Sequence, residues 1–343
     1  MSGRTLLVRT DSAGDVLLAG PAVRAVAGHS TVTLLVSPAG EQAARLLPGI
    51  CDLLIWPCPW SGYRPPPVDA AGTRRLLGAL SEGGFDCALV LTSHHQSPLP
   101  MALLLRLAGI GRIAASSVDY PGSLLDLRHH PADGHESQRM LSLAVAAGFS
   151  AASGDDGRLA VRRPLPPAPE DLPGGPFVVV HPGASVPARA PDPARAARIV
   201  RTLTGAGWPV VVTGGPAETG LTRTVAAGAA IDLGGCTDLA TLAAVLDRAA
   251  CVVVGNTGPA HLAAAVGTPV VSLYAPVVPA AHWAPWGVPS RILGDQGAAC
   301  RDSRARDCPV PGHPCLGAVT PEAVLDAVGA LTAARPAVTG VGG

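Results

Sequence analysis

Short apolar runs alternate with amphipathic segments along most of the chain. The runs are rich in valine and leucine, as buried strands are. The segments between them place apolar residues three or four positions apart, which is typical of helices that pack on a sheet. This alternation predicts an α/β fold with parallel sheets and helices on both faces. The strands are expected at 5–9, 31–36, 52–56, 86–92, 112–115, 177–181, 210–213, 231–233, 251–254 and 270–273.

One segment interrupts the alternation, the proline- and glycine-rich stretch PLPPAPEDLPGGP at 164–176. Such a composition is typical of a linker, and the chain of 343 residues is long enough for two domains. We therefore expect two Rossmann-like, doubly wound domains, at 1–165 and 166–335, with a last helix at 321–331 that can pack back on the first domain. The tail beyond Arg335 is expected to be disordered.

Composition narrows the range of functions. Hydrophobic residues make up 48% of the chain and aromatic residues 3%, so the cores must consist mainly of alanine, valine and leucine. The chain has no lysine, and its formal net charge of zero argues against a broad nucleic-acid interface. No apolar stretch approaches the length of a membrane span, and the N-terminus lacks the pattern of a signal peptide. A cytoplasmic protein without membrane insertion is the expectation.

The stretch CVVVGNTGPAHLAAAVGTPVVSL at 251–273 is the most informative part of the chain. It predicts a strand, a glycine-rich turn, a helix with proline in its first turn, and a second strand. Free N–H groups at such a helix N-terminus favour a phosphate. An ordinary connection between two strands would need the same small residues, so the pattern alone leaves both interpretations open. Neither half of the chain contains G-x-G-x-x-G, which counts against a dehydrogenase.

Three charged residues in turns at strand ends have a functional and a structural interpretation each. Asp15 could be a general base, or it could form a capping box with Ser12. Arg189 could hold a phosphate or be solvated, and Glu218 could accept ribose hydroxyls or begin the next helix. Because open α/β sheets bind ligands at the carboxyl ends of their strands, a cleft between the two domains is the expected site.

Histidines and cysteines offer weaker candidates. His94 and His95 could line an acceptor site, although exposure at the surface is the simpler explanation, and His261 could be a core histidine. Three thiols and an imidazole at the C-terminal end could bind zinc, but they lack the paired C-x2-C spacing of a firm zinc site, so a structural loop is favoured. These metal candidates are Cys300, Cys308, His313 and Cys315.

Taken together, the motifs resemble glycosyltransferase family 9, the bacterial heptosyltransferases, from about Thr5 to about Leu331. The matching segments are LLVRTDSAGDVLLAGPAVRA, VVVHPGAS, VVVTGGPAE, DLGGCTDLATLAAVLDRA, VVVGNTGPAHLAAAVGTPVVSLYAP and CPVPGHPCLGAVTPEAVLDAV. The resemblance implies the GT-B fold, in which two Rossmann-like domains face a central cleft. It also implies inverting, metal-independent transfer of a sugar, typically heptose from ADP-heptose, to an acceptor hydroxyl, without a cofactor. We expect a monomer with no nucleic-acid partner.

The same resemblance assigns roles to residues. Asp15 matches the family's general base, Arg189 stands where a lysine usually neutralises the donor phosphate, and Asn256 stands where an aspartate often contacts the transferred sugar. The expected donor-binding residues are Gly183, Ser185, Arg189, Glu218, Asn256, Thr257, Gly258, Pro259 and His261. The expected acceptor-binding residues are Ser12, Gly14, His94 and His95.

Alternatives to this activity remain open at the level of the sequence. The enzyme could use another nucleotide-sugar donor and act on a natural product or a cell-surface glycan. A GT-B epimerase or hydrolase would consume the donor without any acceptor. A non-catalytic nucleotide-sugar binder would hold the donor and transfer nothing.

Overall fold

The computed structural model describes residues 3–333 and divides into two compact units between Pro164 and Leu165. The predicted tail beyond Arg335 lies outside the described residues. Within 3–333, no helix combines the length and the apolar character that crossing a membrane requires. Each unit has a parallel six-stranded sheet and a hydrophobic core of its own.

The first unit alternates strands and helices in the order that the apolar pattern predicts. Its strands are β1 (Gly3–Arg9), β2 (Ser30–Val36), β3 (Ile50–Ile55), β4 (Cys87–Val90), β5 (Ile113–Ser116) and β6 (Leu127–His129). Its helices are α1 (Ala13–Leu18), α2 (Gly20–Ala27), α3 (Glu41–Leu46), α4 (Ala70–Glu82), α5 (Leu99–Leu107) and α6 (Glu136–Ala146). The sheet order is β3-β2-β1-β4-β5-β6, with every pair parallel.

The second unit repeats this plan. Its strands are β7 (Val178–His181), β8 (Val210–Gly214), β9 (Ile231–Gly234), β10 (Cys251–Gly255), β11 (Val270–Leu273) and β12 (Ser290–Leu293). Its helices are α7 (Pro193–Gly205), α8 (Thr219–Ala226), α9 (Leu239–Arg248), α10 (Gly258–Val266), α11 (Ala280–Trp283), α12 (Pro314–Gly317) and α13 (Pro321–Ala333). The order β12-β11-β10-β7-β8-β9 is the doubly wound order of the first sheet, and α13 packs against α7.

Each sheet has one point where the chain changes direction. β1 lies between β2 and β4, and β7 lies between β8 and β10. At such a switch point the connections leave toward opposite faces, so the loops at the carboxyl ends of the two central strands diverge and leave a crevice. The loops after β1 and β4, and those after β7 and β10, are therefore the places to look for ligand sites.

Some details differ from the sequence prediction. β6 and β12 are short, partly exposed edge strands, and neither is among the ten strands expected from the sequence. The apolar spacing of residues 15–27 predicts one helix, but the segment is broken at Ala19 into α1 and α2. Pro21, in the first turn of α2, cannot donate the backbone hydrogen bond that a continuous helix would need.

Candidate functional site

Asp15 lies in the first turn of α1, directly after β1 at the switch point of the first sheet. The backbone N–H and the hydroxyl of Ser12 donate to its Oδ2 at 3.3 and 2.7 Å. Its Oδ1 accepts a hydrogen bond from Arg9 Nη2 at 3.0 Å, and 24% of the side chain is exposed. The capping arrangement is thus present, and the carboxylate is fixed but partly exposed.

Arg9 is the last residue of β1 and has no exposed surface. Its guanidinium donates to Leu91 O and Ser93 Oγ, and it lies 3.2 Å from Asp11 Oδ2. Burial alone would lower the pKa of Arg9, but the surrounding carboxylates outweigh burial and raise it. The guanidinium therefore stays charged and holds the loops after β1 and β4 together.

The expected acceptor residues lie in, or directly after, the two loops that Arg9 holds together. Ser12 is exposed and Gly14 is buried in α1. His94 and His95 are exposed in the loop that follows β4. The backbone N–H of His94 donates to Glu136 Oε1 at 2.9 Å, which fixes this loop on the start of α6.

The second unit brings Glu218 over the turn that follows β7. Glu218 ends the 3-10 helix Pro216–Glu218, and its Oε2 accepts the Gly215 N–H at 2.7 Å. A Cβ on Gly183 would lie 1.9 Å from Glu218 Oε1, so any larger residue there would displace the carboxylate. The carboxylate is partly exposed, with 27% of the side chain open to solvent. A carboxylate held in this way can accept hydrogen bonds from the hydroxyls of a sugar.

His181 is a buried residue next to Glu218 that supports the same turn. It is buried at the end of β7, with Nδ1 3.0 Å from Thr213 Oγ1 and Nε2 3.9 Å from Glu218 Oε2. Burial lowers the pKa of His181, and the Glu218 charge opposes that effect only in part. The imidazole is therefore neutral at neutral pH and acts as a packed polar support.

The stretch after β10 forms the expected turn and helix. Thr257 is the N-cap of α10, and Gly258 and Pro259 lie in the first turn. Pro259 has no N–H, and the Ala260 N–H donates to Thr257 O at 3.0 Å, so Gly258 supplies the N–H that can face a ligand. His261 is buried in α10, and Ser185 is exposed in the loop after β7.

Arg189 is close to this turn. It ends the 3-10 helix Pro187–Arg189, and a Cβ on Gly255 would lie 2.7 Å from its carbonyl oxygen. Burial raises the pKa of Tyr274, while the charge of Arg189 and a hydrogen bond with Asn256 oppose that rise. Tyr274 directly follows β11, so the charge of Arg189 acts on the loop at the carboxyl end of that strand. The backbone of Arg189 thus packs against the end of β10, next to the turn that begins α10, and an arginine near a helix N-terminus suits a diphosphate.

Asn256 has a structural role that the sequence did not predict. It is 5% exposed, its Nδ2 donates to Ala275 O, and its Oδ1 accepts the Ala275 N–H, both at 3.2 Å. One donor and one acceptor of the amide are thus used to hold the loop after β11. A contact between Asn256 and the transferred sugar stays a prediction.

The cysteine-rich segment gives no support to the metal candidate. Among residues 3–333, no three His, Cys, Asp or Glu side chains form a group that could hold a metal ion. Cys300 and Cys315 are buried in the core of the second unit, and Cys308 Sγ lies 3.3 Å from Val310 O. His313 Nε2 lies 3.1 Å from Ala188 O. The segment packs against the core of the second unit and the loop that carries Ala188.

The sequence analysis did not predict the buried residues that support the loops of the candidate site. Arg9 ends the apolar run TLLVR, and a charge at the buried end of a strand was the one available signal. Asp11 accepts from Ser61 Oγ and Gln96 Nε2, at 2.8 and 2.6 Å. Nothing in the sequence pattern points from Glu136 or Tyr274 to these loops, because each comes from a distant element.

The comparison with protein families is decisive. The model described as glycosyltransferase family 9 (heptosyltransferase) matches residues 73–312, which is more than half of the chain. The chain belongs to glycosyltransferase family 9. The resemblance inferred from the motifs is confirmed, and the protein is a glycosyltransferase.

Solved structures of similar proteins agree with this family. A family 9 glycosyltransferase from Veillonella parvula has a TM-score of 0.75 at 16% identity, with 97% of this chain and 98% of that chain covered. E. coli ADP-heptose lps heptosyltransferase II has a TM-score of 0.71 at 19% identity, covering 96% and 98%. E. coli heptosyltransferase WaaC with ADP has a TM-score of 0.66 at 20% identity, covering 94% and 96%.

At these identities the likeness shows the shared fold, and the GT-B prediction is confirmed. Among curated proteins no match is found.

Proposed function

We propose that this glycosyltransferase transfers a sugar from an ADP-sugar to an acceptor hydroxyl, with inversion at the anomeric carbon and Asp15 as the general base. The expected sugar is a heptose. The observation that carries the proposal is the fixed, partly exposed carboxylate of Asp15 at the switch point of the first unit. The equivalent switch point of the second unit has the features of a donor site.

The acceptor side of the proposal rests on how Asp15 is held. A general base must reach the proton it removes and keep its orientation while doing so. Arg9 and Ser12 fix one oxygen each, and we propose that an acceptor hydroxyl reaches the partly exposed carboxylate from the solvent side. Ser12, Gly14, His94 and His95 are proposed to surround that acceptor. One base suffices, because inversion needs a single in-line displacement.

The donor side rests on the second switch point. We place the diphosphate at Thr257, Gly258 and Pro259, with Arg189 beside it and the ribose at Glu218. The leaving ADP gains negative charge in the transition state, and preorganised N–H groups and a guanidinium stabilise such charge without a metal ion. Gly183, Ser185, Asn256 and His261 complete the proposed donor set. Two similar structures, named for ADP-heptose and solved with ADP, support the choice of nucleotide.

Calorimetry with ADP, GDP, UDP and dTDP tests the donor. We expect ADP to bind at least tenfold more tightly than the other three. A preference for another nucleotide would replace ADP in the proposal. Incubation with the ADP-sugar alone tests the reaction class: full conversion of the donor without an acceptor would identify an epimerase or hydrolase, and binding without any transfer would identify a binding protein.

Asp15→Asn tests the base. Because the amide cannot take up the proton, turnover should fall by about 10²–10⁴-fold. The ADP dissociation constant should stay within about twofold, since Asp15 is proposed to act on the acceptor alone. Asp119→Asn, which removes an exposed carboxylate from the same unit, is the matched control. Wild-type turnover in Asp15→Asn would exclude Asp15 as the base.

A cytoplasmic monomer is part of the same proposal. Light scattering on the purified chain measures the mass of the species in solution, and a mass above that of one chain would exclude the monomer.

A further inference from the structure

Glu136 is a fully buried acid at the start of α6, and the proposed reaction does not use it. Its Oε1 accepts the backbone N–H of His94 at 2.9 Å. Its Oε2 lies 3.9 Å from Arg9 Nη1, and among the described residues it has no hydrogen-bond donor. A buried carboxylate with an unsatisfied oxygen is costly, so its presence calls for a reason beyond packing.

Arg9 connects Glu136 with Asp15. The guanidinium donates to Asp15 Oδ1 and lies near Asp11 and Glu136, so one buried cation serves three carboxylates. The electrostatic attraction of Arg9 is therefore divided among these three carboxylates. A carboxylate alone beside an arginine loses about 1–3 pKa units, which would make it a poor base near neutral pH. Additional carboxylates around the same arginine offset that loss.

Several other charged and polar groups surround Glu136. Arg9 from β1, Asp15 from α1 and Arg139 from α6 act on it electrostatically, with Arg139 Nε 3.9 Å from its Oε1. His135, the preceding residue, caps α6 through Nδ1, and His94 contributes its backbone N–H. Burial raises the pKa of Glu136, and the two arginines and the His94 N–H oppose that rise.

We propose that Glu136 is a positioning residue for Asp15 that acts through Arg9. It ties the guanidinium to the loop after β4, so that Asp15 and the proposed acceptor loop keep a fixed relation. Its negative charge also competes with Asp15 for Arg9 and keeps Asp15 basic. The inference rests on the proposed role of Asp15 as the general base.

Two substitutions separate charge from position. Glu136→Gln keeps the size and an oxygen for the His94 N–H but removes the charge. Glu136→Asp keeps the charge but shortens the side chain by one methylene. The readout is ADP release from ADP-heptose against pH, with an acceptor that supports turnover or with water in its absence. Glu82→Gln, which removes an exposed acid from α4, is the matched control.

In Glu136→Gln the acid limb of the kcat/KM profile should move to lower pH by about one unit, because a like charge near Asp15 has been removed. Turnover on the plateau should fall about three- to tenfold, since Arg9 then binds Asp15 alone and weakens the base. In Glu136→Asp the acid limb should stay in place while kcat falls. ADP affinity should stay within about twofold in both variants, because the donor is proposed to bind to the second unit.

An unshifted acid limb of the kcat/KM profile in folded Glu136→Gln would overturn the inference. An equal loss of kcat in both variants, without a shift of the acid limb, would indicate a merely structural role and would also overturn it. If Glu136→Gln does not fold, a shifted acid limb in folded Glu136→Asp would overturn the inference as well. Asp15→Asn is measured in the same series. If it keeps the wild-type rate, the proposed base is wrong; if it loses the rate while Glu136→Gln does not change, only the role of Glu136 is wrong.

Discussion

At the scale of single residues, Gly183 sets the position of Glu218. A methyl group at this position would lie 1.9 Å from Glu218 Oε1, and the flexible carboxylate would have to move away. We expect Gly183→Ala to fold normally and to bind ADP about tenfold more weakly, which corresponds to about 1.4 kcal/mol. Calorimetry with ADP measures the loss.

The loss should be specific for the ribose if Glu218 binds its hydroxyls. We therefore expect the affinities of wild type and Gly183→Ala for 2′,3′-dideoxy-ADP to be within about threefold of each other. Gly220→Ala is the matched control, because a Cβ on Gly220 meets no atom within 4 Å. Equal losses for ADP and the dideoxy analogue would contradict a ribose contact.

His181 makes stability depend on pH. Its pKa is lowered in the folded state by burial, so at mildly acidic pH the unfolded chain binds a proton that the folded chain does not. Stability should therefore fall as the pH drops below about 6.5, by up to about 1.4 kcal/mol per pH unit. Thermal unfolding between pH 7.5 and 5.0 measures this fall.

The variant His181→Asn should flatten the pH dependence, even though it lowers stability at neutral pH by removing a buried support. His130→Gln, which changes an exposed histidine, should keep the wild-type slope. An unchanged slope in His181→Asn would mean that another group causes the acid loss.

The sequence pattern predicts local turn contacts more reliably than the buried residues that support those turns. The motif around Asp15 predicted a carboxylate and its serine cap, and both are present. Arg9 and Glu136 escaped prediction because their importance comes from contacts between distant strands and helices. Local pattern shows the type of a turn, whereas the partners of a buried charge depend on topology.

At the scale of elements, the segment 300–315 braces Arg189. The Ala188 N–H donates to Arg306 O at 2.9 Å, and His313 Nε2 lies 3.1 Å from Ala188 O. The same segment binds the loop after β11 through the N–H groups of Asp302 and Arg304. Through these contacts the segment fixes the backbone next to Arg189.

His313→Gly tests this brace. His313 has a φ of +48°, a left-handed conformation that glycine adopts without strain, so the substitution mainly removes the imidazole. We expect ADP affinity to fall about three- to tenfold, because Arg189 is less well placed for the diphosphate. The affinity for adenosine, which has no phosphate, should not change.

A control from the same segment is Arg304→Gly, at a position with a φ of +56° and an exposed side chain. It keeps the backbone hydrogen bond to Val277 and should bind ADP within about twofold of wild type. If adenosine affinity fell together with ADP affinity in His313→Gly, the segment would support the whole donor site and not Arg189 in particular.

The prediction of elements was accurate where apolar runs were long and failed at the edges of the sheets. β6 and β12 have only three and four residues and are half exposed, so they lack the continuous apolar run of a central strand. They complete the six-stranded order of each sheet. The switch points lie at the central strands β1 and β7, far from these two edge strands. The candidate loops could therefore be identified although β6 and β12 were not predicted.

At the scale of the whole molecule, each unit has a sheet and a hydrophobic core of its own. The core of the second unit combines residues of its central strands with α7, α8 and α13, and all of them come from the part of the chain after Leu165. The proposed donor residues belong to the same part. A unit of this size can bury enough surface to fold alone.

We therefore expect the segment Leu165–Gly343, expressed by itself, to unfold in one cooperative transition and to bind ADP within about threefold of the full chain. It should release no ADP from ADP-heptose above the uncatalysed rate, since Asp15 is missing. The full chain with Asp15→Asn is the comparison, because it lacks the same base while keeping the first unit. If the isolated segment folds but binds ADP more than about thirtyfold more weakly, the donor site must include residues before Leu165, and the assignment of the donor to the second unit alone would be wrong.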